Sequence, residues 1–108
     1  MTPNRGEVWL FDCGMVEKTR PVLILSTAFG PNDRAVVTVV FHSTALRGSK
    51  FEVAVNVPFL KQGAFIAQSI ATYPTARAIR RLGFLTAPQL KIVQDEVLRW
   101  LGADRSST

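Results

Sequence analysis

Val36-Val37-Thr38-Val39-Val40-Phe41 is a β-branched run with apolar side chains at both odd and even positions, where a half-exposed strand would alternate. Such a run belongs at the centre of a sheet with both faces covered. It ends in polar residues, His42, Ser43 and Thr44, and is preceded by the turn chemistry of Phe29-Gly30-Pro31-Asn32-Asp33. Further upstream, Val8, Trp9, Leu10 and Phe11 place a short strand at residues 7–12, also apolar on both faces. After a loop from Gly14 to Lys18, residues 20–26 read as a second strand, with Pro21 near its start, where a missing N–H does least harm to a ladder. On the other side of the run, Phe51, Val53, Val55 and Val57 alternate with Glu52, Ala54 and Asn56, predicting a half-buried strand over 51–57. Pro58 and Gly63 bracket a turn, and residues 64–72 read as a further strand. The segment 74–84 admits two readings: a helical turn followed by a strand at 79–85, or one irregular basic stretch.

The chain closes on a helix. Thr86-Ala87-Pro88-Gln89 matches a capping box, Leu90, Val93, Val97 and Leu101 recur at helical spacing, and Gly102 is placed to stop the run. Residues 103–108 are expected to fray. Strands joined by hairpin-length connections, then one amphipathic helix, predict a mostly β chain: a small curled antiparallel barrel or strongly curled sheet covered by the C-terminal helix. With 108 residues, 47% of them hydrophobic, this is one domain, its core spanning about 5–102. Two strands apolar on both faces leave surface to hide in so small a domain, and a homodimer would hide it.

Thirteen Lys and Arg against eight Asp and Glu give a net charge of +5, which favours a polyanionic or acidic partner. Cys13 is the only cysteine, which excludes an internal disulfide and a cysteine-based zinc cage and points to a cytoplasmic home and a packing role. The N-terminus lacks an apolar signal core, and no apolar run approaches the ~20 residues that span a bilayer, so no membrane association is expected.

An Arg at the mouth of an apolar strand is costly unless it meets an anion, which makes Arg20, beside Val22-Leu23-Ile24-Leu25, a candidate phosphate ligand; a carboxylate or carbonyl partner is the alternative. The stretch from His42 to Lys50 offers hydroxyls on Ser43 and Thr44, then Arg47 and Lys50 on a Gly-containing loop, a set suited to an RNA backbone and equally to a solvated hairpin. Arg77, Arg80 and Arg81 extend the basic track; Tyr73, between polar neighbours and a Pro, is the best candidate to stack on a base, whereas Phe41 and Trp9 fit the core. One His excludes a two-imidazole mechanism within a protomer, so His42 acts singly or not at all; it is a candidate RNA contact, and a hydrogen-bonded surface or core residue is the alternative. No Gly-x-Ser-x-Gly elbow is present, and the scattered carboxylates exclude a two-metal nuclease; no cofactor is expected.

Arg5-Gly6-Glu7-Val8-Trp9, then Arg20-Pro21-Val22-Leu23-Ile24-Leu25-Ser26, then Ser43-Thr44, Gly48 and Phe51-Glu52-Val53 occur in an order and spacing that resemble the MazF/PemK (Kid) family of toxin endoribonucleases of type II toxin–antitoxin pairs. The resemblance implies an SH3-like barrel, a homodimer, and metal-independent cleavage of single-stranded RNA to 2′,3′-cyclic phosphate and 5′-hydroxyl ends, neutralised by a cognate acidic antitoxin. It places Arg20 at the scissile phosphate and gives the hydroxyl role to Ser43, or to Thr44 if the loop is offset by one residue. The Asp-Gln pair common in the family's later strand is Ala67-Gln68 here, which leaves Gln68 as a candidate RNA contact beside Arg47, Lys50, His42, Tyr73 and Arg77. Two rivals share the architecture: a CcdB-like gyrase poison, for which Trp100-Leu101-Gly102 is superficially similar to that branch's Trp-Gly end, and a non-catalytic nucleic-acid-binding barrel.

Overall fold

A computed structural model describes residues 2–14 and 19–104. Six strands pair antiparallel throughout: β1 (Glu7–Asp12), β2 (Thr19–Ile24), β3 (Val36–Ser43), β4 (Glu52–Val53), β5 (Ala64–Pro74) and β6 (Ala78–Phe84), followed by α1 (Ala87–Trp100). Their order in the sheet is β4-β5-β3-β2-β1-β6, so β3 is internal, as its two apolar faces require. The curled sheet is not closed into a barrel; β4 and β6 are its edges.

Each face of the sheet carries its own core. Val8, Leu23, Val40 and Phe65 meet Val93 and Val97 of α1 on one side, while Trp9, Phe11, Val22, Ile24, Val37 and Val39 cluster on the other. The curl comes from a large bulge in β5: Val39 pairs with Ala71, yet Phe41 pairs with Ile66. Ser69 fills the gap, its Oγ accepting the Phe41 N–H at 2.8 Å and donating to the Ile66 carbonyl at 2.7 Å. The first half of β5 therefore delivers Phe65 and Ala67 to the helix-side core, and its far end brings Tyr73 to the opposite one.

Several expectations need correcting. Residues 51–57 do bury Val53 and Val55, but only Glu52 and Val53 pair, because the partner strand begins at Ala64 opposite the next position and the chain runs past it. The segment 74–84 follows the first of its two readings, a 3₁₀ turn at Thr75–Arg77 and then β6. Leu101 is not on the buried stripe of the helix; it is 54% exposed, as the C-cap residue. Ala103 and Asp104 are held rather than frayed: the Gly102 and Ala103 N–H groups bond the Arg99 and Leu98 carbonyls, and Asp104 lies 3.7 Å from the Arg99 guanidinium. Residues 105–108 of the expected tail and 15–18 of the expected loop lie outside the described residues.

The Arg5-Gly6-Glu7 opening is a structural lock. Arg5 donates to the Leu25 carbonyl and to Gln94 of α1, tying the N-terminal arm to strand and helix. Burial works against the Glu7 charge, but the Asn4 N–H, the Trp9 indole N–H and Arg81 together hold its carboxyl below the ordinary 4.5. At the other end of the chain the capping box is complete, with Thr86 N–H to Gln89 Oε1 at 2.9 Å and Gln89 N–H to Thr86 Oγ1 at 3.4 Å. Thr86→Ala is expected to lower stability by about 1 kcal/mol, read as a fall in the urea midpoint at unchanged slope.

Candidate active site

The start of β2 and the end of β3 lie side by side. Val22 pairs with Phe41, and continuing that register by two residues sets Arg20 opposite Ser43 on the same face, with Pro21, which has no N–H, between. The two residues line one groove of about 450 Å³, together with Thr19, Pro21, His42 and Thr44. The turn Phe59-Leu60-Lys61 also lines it, with Leu10 of β1 and Arg80 and Leu82 of β6. Gly63 brings the turn back against β3: a Cβ there would sit 2.3 Å from the Ser43 carbonyl oxygen.

The Arg20 guanidinium stacks on Phe41, 5.2 Å from the ring centroid. Phe41 stacks in turn on Tyr73 at 6.2 Å, and Phe11 meets Tyr73 at 6.3 Å. Burial raises the Cys13 thiol and the Tyr73 phenol above their ordinary values, although the positive charges of Arg20 and Arg77 pull both down. Cys13 is thus a protonated, buried packing residue, as its lack of an activating neighbour in sequence implied. Tyr73 is engaged by two aromatic rings in this cluster, and Arg77 reaches the Asp12 carbonyl at 3.4 Å; neither lines the groove.

His42 is 6% exposed, and burial lowers its pKa below 6.5, so the imidazole is neutral at pH 7. Phe65 packs edge-on at 5.1 Å, and Nε2 has no hydrogen-bond partner. Ser43 Oγ accepts the Ala45 N–H at 3.1 Å, which orients the hydroxyl and leaves its proton only a long 3.5 Å contact to the Ala45 carbonyl. The remaining candidates lie outside the groove lining: Arg47 and Lys50 on the loop beyond Thr44, with Lys50 Nζ 5.2 Å from the Phe51 ring centroid, and Gln68 exposed on β5. Trp100 meets Phe51 edge-on at 5.3 Å as the last helical residue, so Trp100 to Gly102 forms a helix stop.

Glu52 organises that loop. Its carboxylate accepts the N–H groups of Arg47, Gly48 and Ser49 at 2.7, 2.8 and 3.0 Å, and these bonds hold it below the ordinary 4.5. Because the folded value is depressed, the stabilisation is present above pH 4.5 and is lost as pH falls through the folded value. Glu52→Gln is expected to lose amide protection at Arg47, Gly48 and Ser49 at neutral pH, and the unaltered chain to lose it only in acid; hydrogen-exchange mass spectrometry, read against the intrinsic exchange rate at each pH, checks both.

Lys61 and Arg80 are the further groove cations, and of the two the sequence reading named only Arg80. Arg80 stood in a recognised basic cluster, but nothing local marks Lys61, whose place depends on how the turn packs. Among the described residues no group of three His, Cys, Asp or Glu is placed to hold a metal ion, and no helix is long and apolar enough to cross a membrane. A half-buried arginine and an oriented hydroxyl that line one groove from neighbouring strands are groups suited to binding an anion and to stabilising charge that grows on it.

The sequence profile of the PemK-like, MazF-like toxins of type II toxin–antitoxin systems matches residues 4–101. No curated protein matches the chain. Among solved structures, the MazE–MazF complex of Deinococcus radiodurans is similar at a TM-score of 0.80 and 21% identity, over 94% of this chain and 97% of that one. An endoribonuclease in complex with its cognate antitoxin, from a mycobacterial species, is similar at 0.80 and 26% identity over 94% and 96%. The Mycobacterium tuberculosis toxin MazF-mt6 is similar at 0.74 and 27% identity over 91% and 98%.

Proposed function

The chain belongs to the PemK-like, MazF-like toxin family of type II toxin–antitoxin systems, and on that premise we propose that it is an endoribonuclease cleaving single-stranded RNA. The observation that supports the reading is the one groove that Arg20, Ser43 and Thr44 line together. The ribose 2′-oxygen attacks the adjacent phosphorus, the bond to the 5′-oxygen breaks, and a 2′,3′-cyclic phosphate and a 5′-hydroxyl result. Negative charge builds on the non-bridging oxygens during that displacement, and a guanidinium with a hydroxyl donor stabilises it more than it stabilises the starting diester. Arg20 serves charge stabilisation, not base catalysis.

The net charge of +5 supports both RNA and an acidic antitoxin segment as partners, and the mycobacterial endoribonuclease–antitoxin complex supports the latter. A homodimer is supported by exposed Ile79 and Phe84 on the edge strand β6, and a cytoplasmic place of action by the proposed RNA substrate. Incubating the pure chain with RNA in EDTA and mapping the ends tests the activity. Cyclic-phosphate and 5′-hydroxyl ends are expected; RNA retained but uncut sinks the enzymatic reading.

A further inference from the structure

Half of the groove is untouched by the arginine and the hydroxyl. Phe59 forms its far wall and is seated against the backbone of Gly83, where a Cβ would lie 2.5–2.7 Å from three of the ring carbons. Leu82 continues the apolar surface, and Lys61 and Arg80, both exposed, stand at the groove's edge. His42 lines the same groove, and its buried Nε2 has no hydrogen-bond partner. An aromatic wall fixed from behind, two cations and one unused hydrogen-bonding position match a nucleobase with its phosphate: the π-face stacks, the charges take the backbone, and the imidazole takes the base edge.

Resting on the endoribonuclease reading, we propose that this half of the groove is the subsite for one nucleotide flanking the scissile linkage. Phe59 is its stacking platform, His42 its base-edge contact, and Lys61 and Arg80 its backbone contacts. Continuity with the Arg20–Ser43 pair decides for RNA over an acidic peptide, because a nucleotide seated here is covalently joined to the phosphate those residues face. Gly83 is a positioning residue, since any side chain there pushes the Phe59 ring into the groove.

The test uses fluorescein-labelled 2′-fluoro pentanucleotides, which lack the attacking hydroxyl, so binding is read by anisotropy whether or not the chain cuts RNA. The unaltered chain is expected to prefer one base at one position about tenfold. Phe59→Ala removes that preference and weakens binding about tenfold, Phe59→Trp retains it, and Gly83→Ala reproduces part of the loss. Lys61→Ala and Arg80→Ala weaken all sequences alike and flatten the salt dependence while leaving the preference intact. A Phe59→Ala chain with unchanged circular dichroism, affinity and preference overturns the subsite, as do Lys61→Ala and Arg80→Ala chains that bind normally. Loss of poly-glutamate binding with RNA binding intact overturns it too, and makes the groove a protein-docking surface. Pentanucleotides with the 2′-hydroxyl restored that bind here and stay uncut sink the nuclease reading and leave the subsite standing.

Discussion

Arg20→Ala is expected to lower kcat/KM for a defined oligoribonucleotide about a hundredfold or more while the chain stays folded. Removing one preplaced donor to a developing oxyanion costs about 2.7–4 kcal/mol in enzymes where it has been isolated, and each ~1.4 kcal/mol is tenfold in rate. The fold depends little on this side chain. Arg20 lies at the start of β2, half-buried, and its stacking on Phe41 is the kind of contact worth about 0.5–1 kcal/mol. Arg20→Lys separates charge from shape: an ammonium keeps the positive charge but not the planar fork that matches two phosphate oxygens, so it should recover only part of the rate. A urea midpoint measured beside the kinetics distinguishes loss of chemistry from loss of structure. A folded Arg20→Ala chain cutting RNA at a near-normal rate removes Arg20 from the mechanism.

The second large effect is expected at Ser43. The β2–β3 register carried on by two residues sets Ser43 opposite Arg20, and its Oγ is already committed as an acceptor to the Ala45 N–H, so its proton, held only by a long contact to the Ala45 carbonyl, is the part that can turn to a phosphate oxygen. Ser43→Ala should therefore lower cleavage by about the same factor as the loss of any single such donor, roughly a hundredfold, with KM changed much less than kcat. Thr44→Ala should be milder, because β3 ends at Ser43 and it is Ser43 that the β2–β3 register, carried on by two residues, sets opposite Arg20. Ser43→Thr adds a methyl that restricts the rotamer and should keep or raise the rate. Single-turnover cleavage of one oligoribonucleotide by the three variants decides the matter; severe damage by Thr44→Ala with Ser43→Ala intact moves the hydroxyl role one residue on.

How far the residues disclosed the fold depends on whether a feature is local. The internal position of β3 could be read because both faces of Val36 to Phe41 are apolar, and the start of α1 because Thr86 and Gln89 are capping partners only three residues apart. The brevity of β4 could not, since alternation from Phe51 to Val57 reports burial, while pairing depends on where a different strand begins. The bulge in β5 was equally hidden, because one hydroxyl at Ser69 replaces ladder geometry that no periodicity encodes. In the site, Arg20, His42, Ser43 and Thr44 were legible as polar groups at strand ends. Lys61 entered through the packing of Gly63 on β3, a contact between residues twenty apart in sequence.

Ser69 also bears on how such a protein can change. Its hydroxyl holds the amide of Phe41, and Phe41 is the surface on which the guanidinium rests. A substitution there leaves every groove-lining side chain in place yet alters the seat of the decisive cation. On the proposed function, the cleavage rate can thus drift by mutation at a bulge outside the groove lining, an adjustment invisible to anyone comparing groove residues alone.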